Sequence, residues 1–195
     1  NALSAILEVT IRRDGHIYSM AFAGGNKTDD LTVSGSCGKR NTGTGIRFKP
    51  DASYFDSATF SVPKLSHALR AKAVLCPGLK VTLTDEKKKE KTEWYYEDGI
   101  SDYLADATID CPVIPEQPFT THFEGSSEAV DWAIQWLPEG GDVIAESYVN
   151  LIPTAQGGTH VNGLRTGLAD ALREFCEIRN LLPRGVKLTA EDVWD

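Results

Sequence analysis

Apolar and polar side chains alternate along the N-terminal stretch. Leu7, Val9 and Ile11 are set against Glu8, Thr10 and Arg12, which is the period-two pattern of a half-buried strand. Asp14-Gly15 follows, a two-residue hairpin signal, and "HIYSMAF" returns as the partner strand. "LTVSG" adds a short strand, and the glycine-punctuated "GKRNTGTGIRF" feeds another through Ile46 and Phe48. This pattern predicts an antiparallel meander. The period then changes. In "SVPKLSHALRAKAVLCPG" a serine precedes an early proline, Leu65, Leu69 and Val74 recur at helical spacing, and Pro-Gly closes the segment, so a helix is predicted. "LKVTLTD" and "TEWYYED" flank "EKKKEK", read as a solvated hairpin tip rather than a DNA contact, and "GISDYLADA" reads as a short helix.

"CPVIPEQPF" brings together Pro112, Pro115 and Pro118, and such extended segments join domains. We therefore expect a linker over residues 111–118. Val130, Trp132, Ile134 and Trp136 alternate beyond it. A turn at Pro138-Glu139-Gly140-Gly141 is predicted to lead "DVIAESYVNLI" back as the pairing strand. "QGGTHVNGLRTGL" then opens a helix whose stripe is Val161, Leu164, Leu168, Leu172, Phe175, Ile178 and Leu182, expected to pack on the preceding sheet. Gly157-Gly158-Thr159 admits two readings. It is a strand-to-helix turn with Thr159 as N-cap, or a cradle of backbone amides for a phosphate. His160 stands where a Walker loop would carry lysine. Thr189 and Asp192 have the spacing of a capping box, which predicts a helix beginning near the last residues.

Composition narrows the function. The 195 residues carry 41% apolar side chains and a formal net charge of −8, which argues against a small basic module that binds nucleic acid by bulk charge. No apolar run reaches the roughly 18 residues of a membrane helix. With no leader pattern either, a cytoplasmic protein is expected. Cys37, Cys76, Cys111 and Cys176 show no metal-ligand spacing, so reduced thiols and no metal site are expected. GxSxG, HExxH and Walker A patterns are absent. Asp14, Asp51 and Asp102 stand in turn or helix-start contexts suited to capping.

One ordered set of motifs goes further. "NALS", "TGTGIRFKPD", "YEDGISDYL", "NLIPTAQGGTHVNGLRTGL" and "LPRGVKLTAEDVWD" together resemble the ATPase subunit of bacterial type IIA topoisomerases, over essentially the whole chain. "GKRNTGT", "KAVLCPG", "AVDWA", "WLPEGG", "ESYVNLIPT" and "PRGVKL" place the resemblance on the topoisomerase IV branch rather than the gyrase branch. The resemblance implies an α+β architecture: residues 1–110 as the C-terminal part of a GHKL (Bergerat) ATPase domain, and residues 119–195 as a truncated transducer domain of the ribosomal-protein-S5 domain 2 type. It implies ATP and Mg2+ as cofactors of the intact subunit. As partners it implies DNA, the topoisomerase IV A subunit, a second copy of the ATPase subunit in an ATP-dependent homodimer, and ATP-competitive inhibitors.

The family's catalytic glutamate, magnesium-binding asparagine, adenine-reading aspartate and glycine-rich lid fall upstream of Asn1 in this reading. The lysine loop of the transducer falls beyond Asp195, and no QTK occurs. We therefore expect part of a longer subunit, with no catalytic residue here and no ATP hydrolysis by these residues alone. What remains is a pocket floor. Thr44 matches the threonine that hydrogen-bonds near the adenine, Ile46 would be an apolar wall, and Arg13 matches an arginine at the pocket mouth that inhibitors contact. Taken without the resemblance, these are a strand threonine, a core isoleucine and a solvated hairpin arginine. The alternatives are the gyrase ATPase subunit, another GHKL ATPase such as a mismatch-repair protein, or a non-enzymatic module binding protein or RNA.

Overall fold

The computed structural model describes residues 1–140 and 143–194. Its contacts divide the chain into Asn1–Val62 and Pro63–Asp195, taken here one at a time.

The first unit is built on four strands, β1 (Ser4–Arg13), β2 (His16–Ala23), β3 (Asn26–Ser36) and β4 (Gly43–Pro50). Asp14 and Gly15 (φ 53° and 81°) join β1 to β2, and Gly24 and Gly25 (φ 53° and 83°) join β2 to β3. Two central residues with positive φ give the mirror-image turn whose twist matches the flanking strands. The expected meander holds only through β3. The sheet order is β3-β2-β1-β4, so β4 returns to pair with β1. That pairing sets Leu7 against Phe48 and Val9 against Ile46 on one face, and ties Arg47 to Glu8 at 2.9 Å on the other. β3 is longer than "LTVSG" because the charged "NKTDD" joins it. Pairing with β2 recruits this polar stretch as an edge, where Lys27, Asp29, Asp30 and three register irregularities discourage further strands. Asp51 caps a single 3-10 turn, Ala52–Tyr54, by accepting from the Ser53 amide at 3.0 Å.

In the second unit the predicted helix is α1 (Val62–Leu75), followed by the hairpin β5 (Val81–Asp85) and β6 (Glu90–Trp94) and by α2 (Ile100–Ala107). Ala73, Val74 and Tyr96 are the buried centre, with Val81, Trp94, Ile100 and Tyr103 around them. The lysine tip is the expected exposed turn, held by Asp85, which accepts from the Lys87 and Lys88 amides at 2.9 and 3.2 Å. Asp102 reaches back to the Asp98 amide at 2.8 Å, satisfying a donor at the start of α2. Gly99 has φ 58°, and a Cβ there would lie 2.9 Å from the Val74 carbonyl oxygen. The Tyr-Glu-Asp-Gly connection is thus pressed against the end of α1, where only glycine fits.

The proline-rich residues 111–118 are extended as expected, but most of them are strand. β7 runs Ile114–Glu124 and pairs with β8 (Ala129–Trp136). β7 thereby takes the partnership expected for "DVIAESYVNLI". Residues 143–147 have no regular structure, and only Tyr148–Val149 (β9) and Ile152–Pro153 (β10) form a two-residue ladder. Asn150 and Leu151 supply its positive-φ turn. Gly140 closes a turn on Leu137 at 3.0 Å, while Gly141 of the expected turn and Asp142 of the expected strand lie outside the described residues.

The long helix α3 runs Thr159–Ile178 and stops short of Leu182. Asn180, at φ 53°, ends it. Asn180 donates to the Glu177 carbonyl (3.1 Å) and Leu181 to the Cys176 carbonyl (2.9 Å), a Schellman closure. Val161, Leu164, Leu168 and Leu172 are half-buried as the stripe predicts, but Phe175 and Ile178 remain 51% and 69% exposed. The capping box is present. The Asp192 carboxylate accepts from the Thr189 amide (2.8 Å) and hydroxyl (2.6 Å), and the Asp192 amide donates to the Thr189 hydroxyl (3.3 Å). It starts α4 (Glu191–Trp194), which the Trp136 indole anchors by donating to the Val193 carbonyl at 2.9 Å.

Candidate functional site

Strand register builds the site. Residues directly opposite in an antiparallel ladder share a face, and side chains two apart share it too. Thr44 lies opposite Ile11, Ile46 opposite Val9, and Arg13 stands two residues past Ile11 at the open end of β1. The three candidate residues therefore share one face of the first unit, with Thr44 and Arg13 at one end and Ile46 further in. β2 extends this face with Tyr18 and Met20, opposite Ile11 and Val9. The face is apolar and open: Ile46 is 63% exposed and Phe48 50%. Arg13 lies 3.7 Å from Asp14 with both side chains in solvent, a pairing worth little.

An apolar strip with a hydroxyl near its end and a guanidinium at its rim suits a flat heteroaromatic group. The strip supplies contact area, the hydroxyl is donor and acceptor at once, and the guanidinium supplies fixed charge. Val9 and Ile11 belong to this strip as much as Ile46 does. The alternation of β1 signals them, but only the β1–β4 pairing puts them beside Thr44. A complete Mg2+–ATP site does not fit the residues present. Among the described residues no group of three or more His, Cys, Asp or Glu could hold a metal ion. Two cavities of about 220 and 200 Å3 lie along the second half of α3 and beside Trp194, and neither is lined by Thr44, Ile46 or Arg13.

Gly157-Gly158-Thr159 resolves toward the turn. The Gly157 amide already donates to the Thr154 carbonyl at 2.8 Å, so a donor that a phosphate cradle would need is engaged. A Cβ on Gly158 would lie 2.9 Å from the His160 ring, so a side chain there would require that ring to turn away. Thr159 is not the N-cap: Gly158 occupies that position, and no side chain caps the helix.

Elsewhere in the second unit, charge collects on two features. The Tyr103 hydroxyl donates to Glu146 at 2.7 Å, and burial together with that carboxylate raises its pKa to about 12. His122 on β7 lies 2.6 Å from Asp131 on β8, and the hydrogen bond to this carboxylate raises the imidazole pKa above its ordinary 6.5.

Against known proteins, a family model described as DNA gyrase B matches residues 99–195. The B subunit of DNA topoisomerase 4 from Salmonella typhimurium is 62% identical over 195 residues, covering 100% of this chain and 31% of that protein. The protein of the same name from Bacillus subtilis is 38% identical over 178 residues, covering 90% of this chain and 26% of that protein. Among solved structures, the topoisomerase IV ATP binding domain of Francisella tularensis, in complex with a small molecule inhibitor, has a TM-score of 0.77 at 41% identity, covering 98% of this chain and 51% of that one. The 43K ATPase domain of Thermus thermophilus gyrase B, in complex with an aminocoumarin, has a TM-score of 0.80 at 27% identity, covering 99% and 53%. The chain thus spans 31% of the length of its 62%-identical relative, and its mixed α/β fold is that of ATPase domains of topoisomerase B subunits.

Proposed function

We propose that this chain, a member of the family of bacterial type IIA topoisomerase B subunits, serves a topoisomerase IV subunit that couples ATP binding and hydrolysis to DNA strand passage. The observation that carries this reading is 62% identity along all 195 residues to a topoisomerase 4 B subunit. In the proposed subunit, residues 1–110 close the GHKL ATPase domain, residues 111–118 lead out of it, and residues 119–195 begin the S5-like transducer. DNA, the topoisomerase IV A subunit and a second B subunit are its partners, in the cytoplasm. No helix among the described residues is long and apolar enough to cross a membrane.

The adenine end of the nucleotide is assigned to the first unit. Ile46, with Val9 and Ile11, offers the base an apolar floor, the Thr44 hydroxyl hydrogen-bonds at its polar edge, and Arg13 guards the mouth, where competitive inhibitors would also contact it. Magnesium when bound would neutralise phosphate charge, and its ligands belong to parts of the subunit outside this chain. Removing the threonine hydroxyl strands its polar partner in a desolvated pocket, a loss of about 1–3 kcal/mol. Thr44→Ala in the complete subunit should therefore weaken ATP binding by about ten-fold by calorimetry, with Thr159→Ala as the unaffected control. Unchanged affinity in Thr44→Ala would remove Thr44 from the pocket.

A gyrase reading has its own support, since the matching family model is described as DNA gyrase B. The identities weigh against it, at 41% to the topoisomerase IV structure and 27% to the gyrase one. Negative supercoiling by the complete enzyme, in place of decatenation, would decide for gyrase.

A further inference from the structure

We propose that residues 146–154 form a polar strap coupling the start of α3 to α1 and α2, with Glu146 as its anchor. The strap has two ends. At the first, the two carboxylate oxygens of Glu146 are divided between two phenols: Oε1 accepts from the Tyr103 hydroxyl of α2 at 2.7 Å, and Oε2 from the Tyr148 hydroxyl at 2.6 Å. Arg70 of α1 lies over the Tyr103 ring at 4.8 Å and donates through Nε to the Tyr96 hydroxyl at 2.8 Å, so this anchor reaches the buried centre around Tyr96. Lys72, also on α1, donates to the Leu151 carbonyl at the turn of the same segment.

The second end reaches α3. The Ser147 hydroxyl meets the Thr154 hydroxyl at 2.6 Å and the Thr154 carbonyl at 3.1 Å, and the Thr154 amide donates back to the Ser147 carbonyl at 2.8 Å. Thr154 in turn accepts from the Gly157 amide at 2.8 Å, and its hydroxyl lies 3.4 Å from His160 Nε2 in the first turn of α3. Contacts within hydrogen-bond reach therefore run without a gap from α1 and α2 to the helix start. α3 has no side-chain cap, so the position of its first turn depends on this support.

Glu146 and Val149 are exposed and Ser147 and Tyr148 only half-buried, so the polar contacts at both ends hold much of the segment in place. On the reading in which residues 1–110 close the ATPase domain and α3 belongs to the transducer, the strap is a mechanical link between the two domains. The coupling itself concerns this unit alone, and it holds or fails whatever reaction the whole subunit performs.

Hydrogen exchange on the 195-residue chain tests it. Glu146→Ala should raise exchange at the Thr154 and Gly157 amides, and at the Asn162 amide of the first α3 turn, by about three- to ten-fold, as expected for loss of one or two hydrogen bonds. Amides of the β5–β6 hairpin should not change. Tyr103→Phe deletes one hydroxyl and should raise the same three amides by a smaller factor. A rise confined to residues 146–149 in both variants, with Gly157 and Asn162 unchanged, overturns the proposal. If Glu146→Ala also loosens β5–β6, Tyr103→Phe decides: a rise at Asn162 there sustains the strap and no change refutes it.

Discussion

Single residues show where identity is dictated by backbone and where it is not. Gly99 combines φ 58° with a carbonyl oxygen 2.9 Å from where a Cβ would stand. Gly99→Ala should lower stability by about 2 kcal/mol or more, since positive φ alone costs a non-glycine residue about 1 kcal/mol and the clash adds to it. Thr159 is the opposite case. It stands inside the helix with no capping bond, so Thr159→Ala should change stability by no more than about 0.5 kcal/mol. Urea denaturation of both variants checks the pair, and a loss of about 1 kcal/mol in Thr159→Ala would restore Thr159 as the cap. The threonine looked like a cap because cap residues are small and polar, and its side chain is. Sequence does not show that Gly158 takes the extended position just before the helix. Thr189 and Asp192 were legible because the two partners of a capping box identify each other by spacing. For Thr44, Ile46 and Arg13 the residue types were visible but not their common face, which depends on β4 pairing with β1.

Elements were legible where local chemistry sets them. The Asp14-Gly15 turn, the start and stop of α1, the lysine tip and α2 follow from dihedral preference and periodicity over a few residues. Pairing between distant segments was not. Alternation in "EAVDWAIQW" marks a strand without naming its partner. The proline-rich "CPVIPEQPF" is expected to be an extended linker, and β7 carries its Pro115 and Pro118 in a two-stranded ladder, with a register shift between Ile114 and Phe119. The β7–β8 ladder also carries a pH dependence. Its His122 pKa is raised by Asp131, so the protonated pair supports the hairpin fully below the ordinary value of 6.5. That support is lost as pH rises through the higher folded-state value. Nuclear magnetic resonance titration should give His122 a midpoint above 6.5, returning toward 6.5 in Asp131→Asn. A wild-type midpoint at or below 6.5 would show that the pair does not form in solution.

At the scale of the molecule, the first unit presents an apolar sheet face and the second a core with a long helix attached through a polar segment. On the proposed reading the first unit supplies the floor of a base pocket, and among the described residues no group of three or more His, Cys, Asp or Glu could hold a metal ion. Composition alone is silent about function because the proposed pocket floor is a strand face, and nothing in its residue types separates it from an ordinary core. The motifs carried the family resemblance as an ordered set, because such a set reports common descent and not local chemistry.

The central claim is tested by ATP-dependent decatenation of linked DNA circles. The assay uses the complete B subunit that carries these residues, reconstituted with its A subunit, with the 195-residue chain measured in parallel. Unlinking that requires ATP and both subunits, together with no ATP turnover by the 195-residue chain, is the expected result. Circles that stay linked with the complete subunits, or protein-dependent ATP turnover by the 195 residues alone, would contradict it.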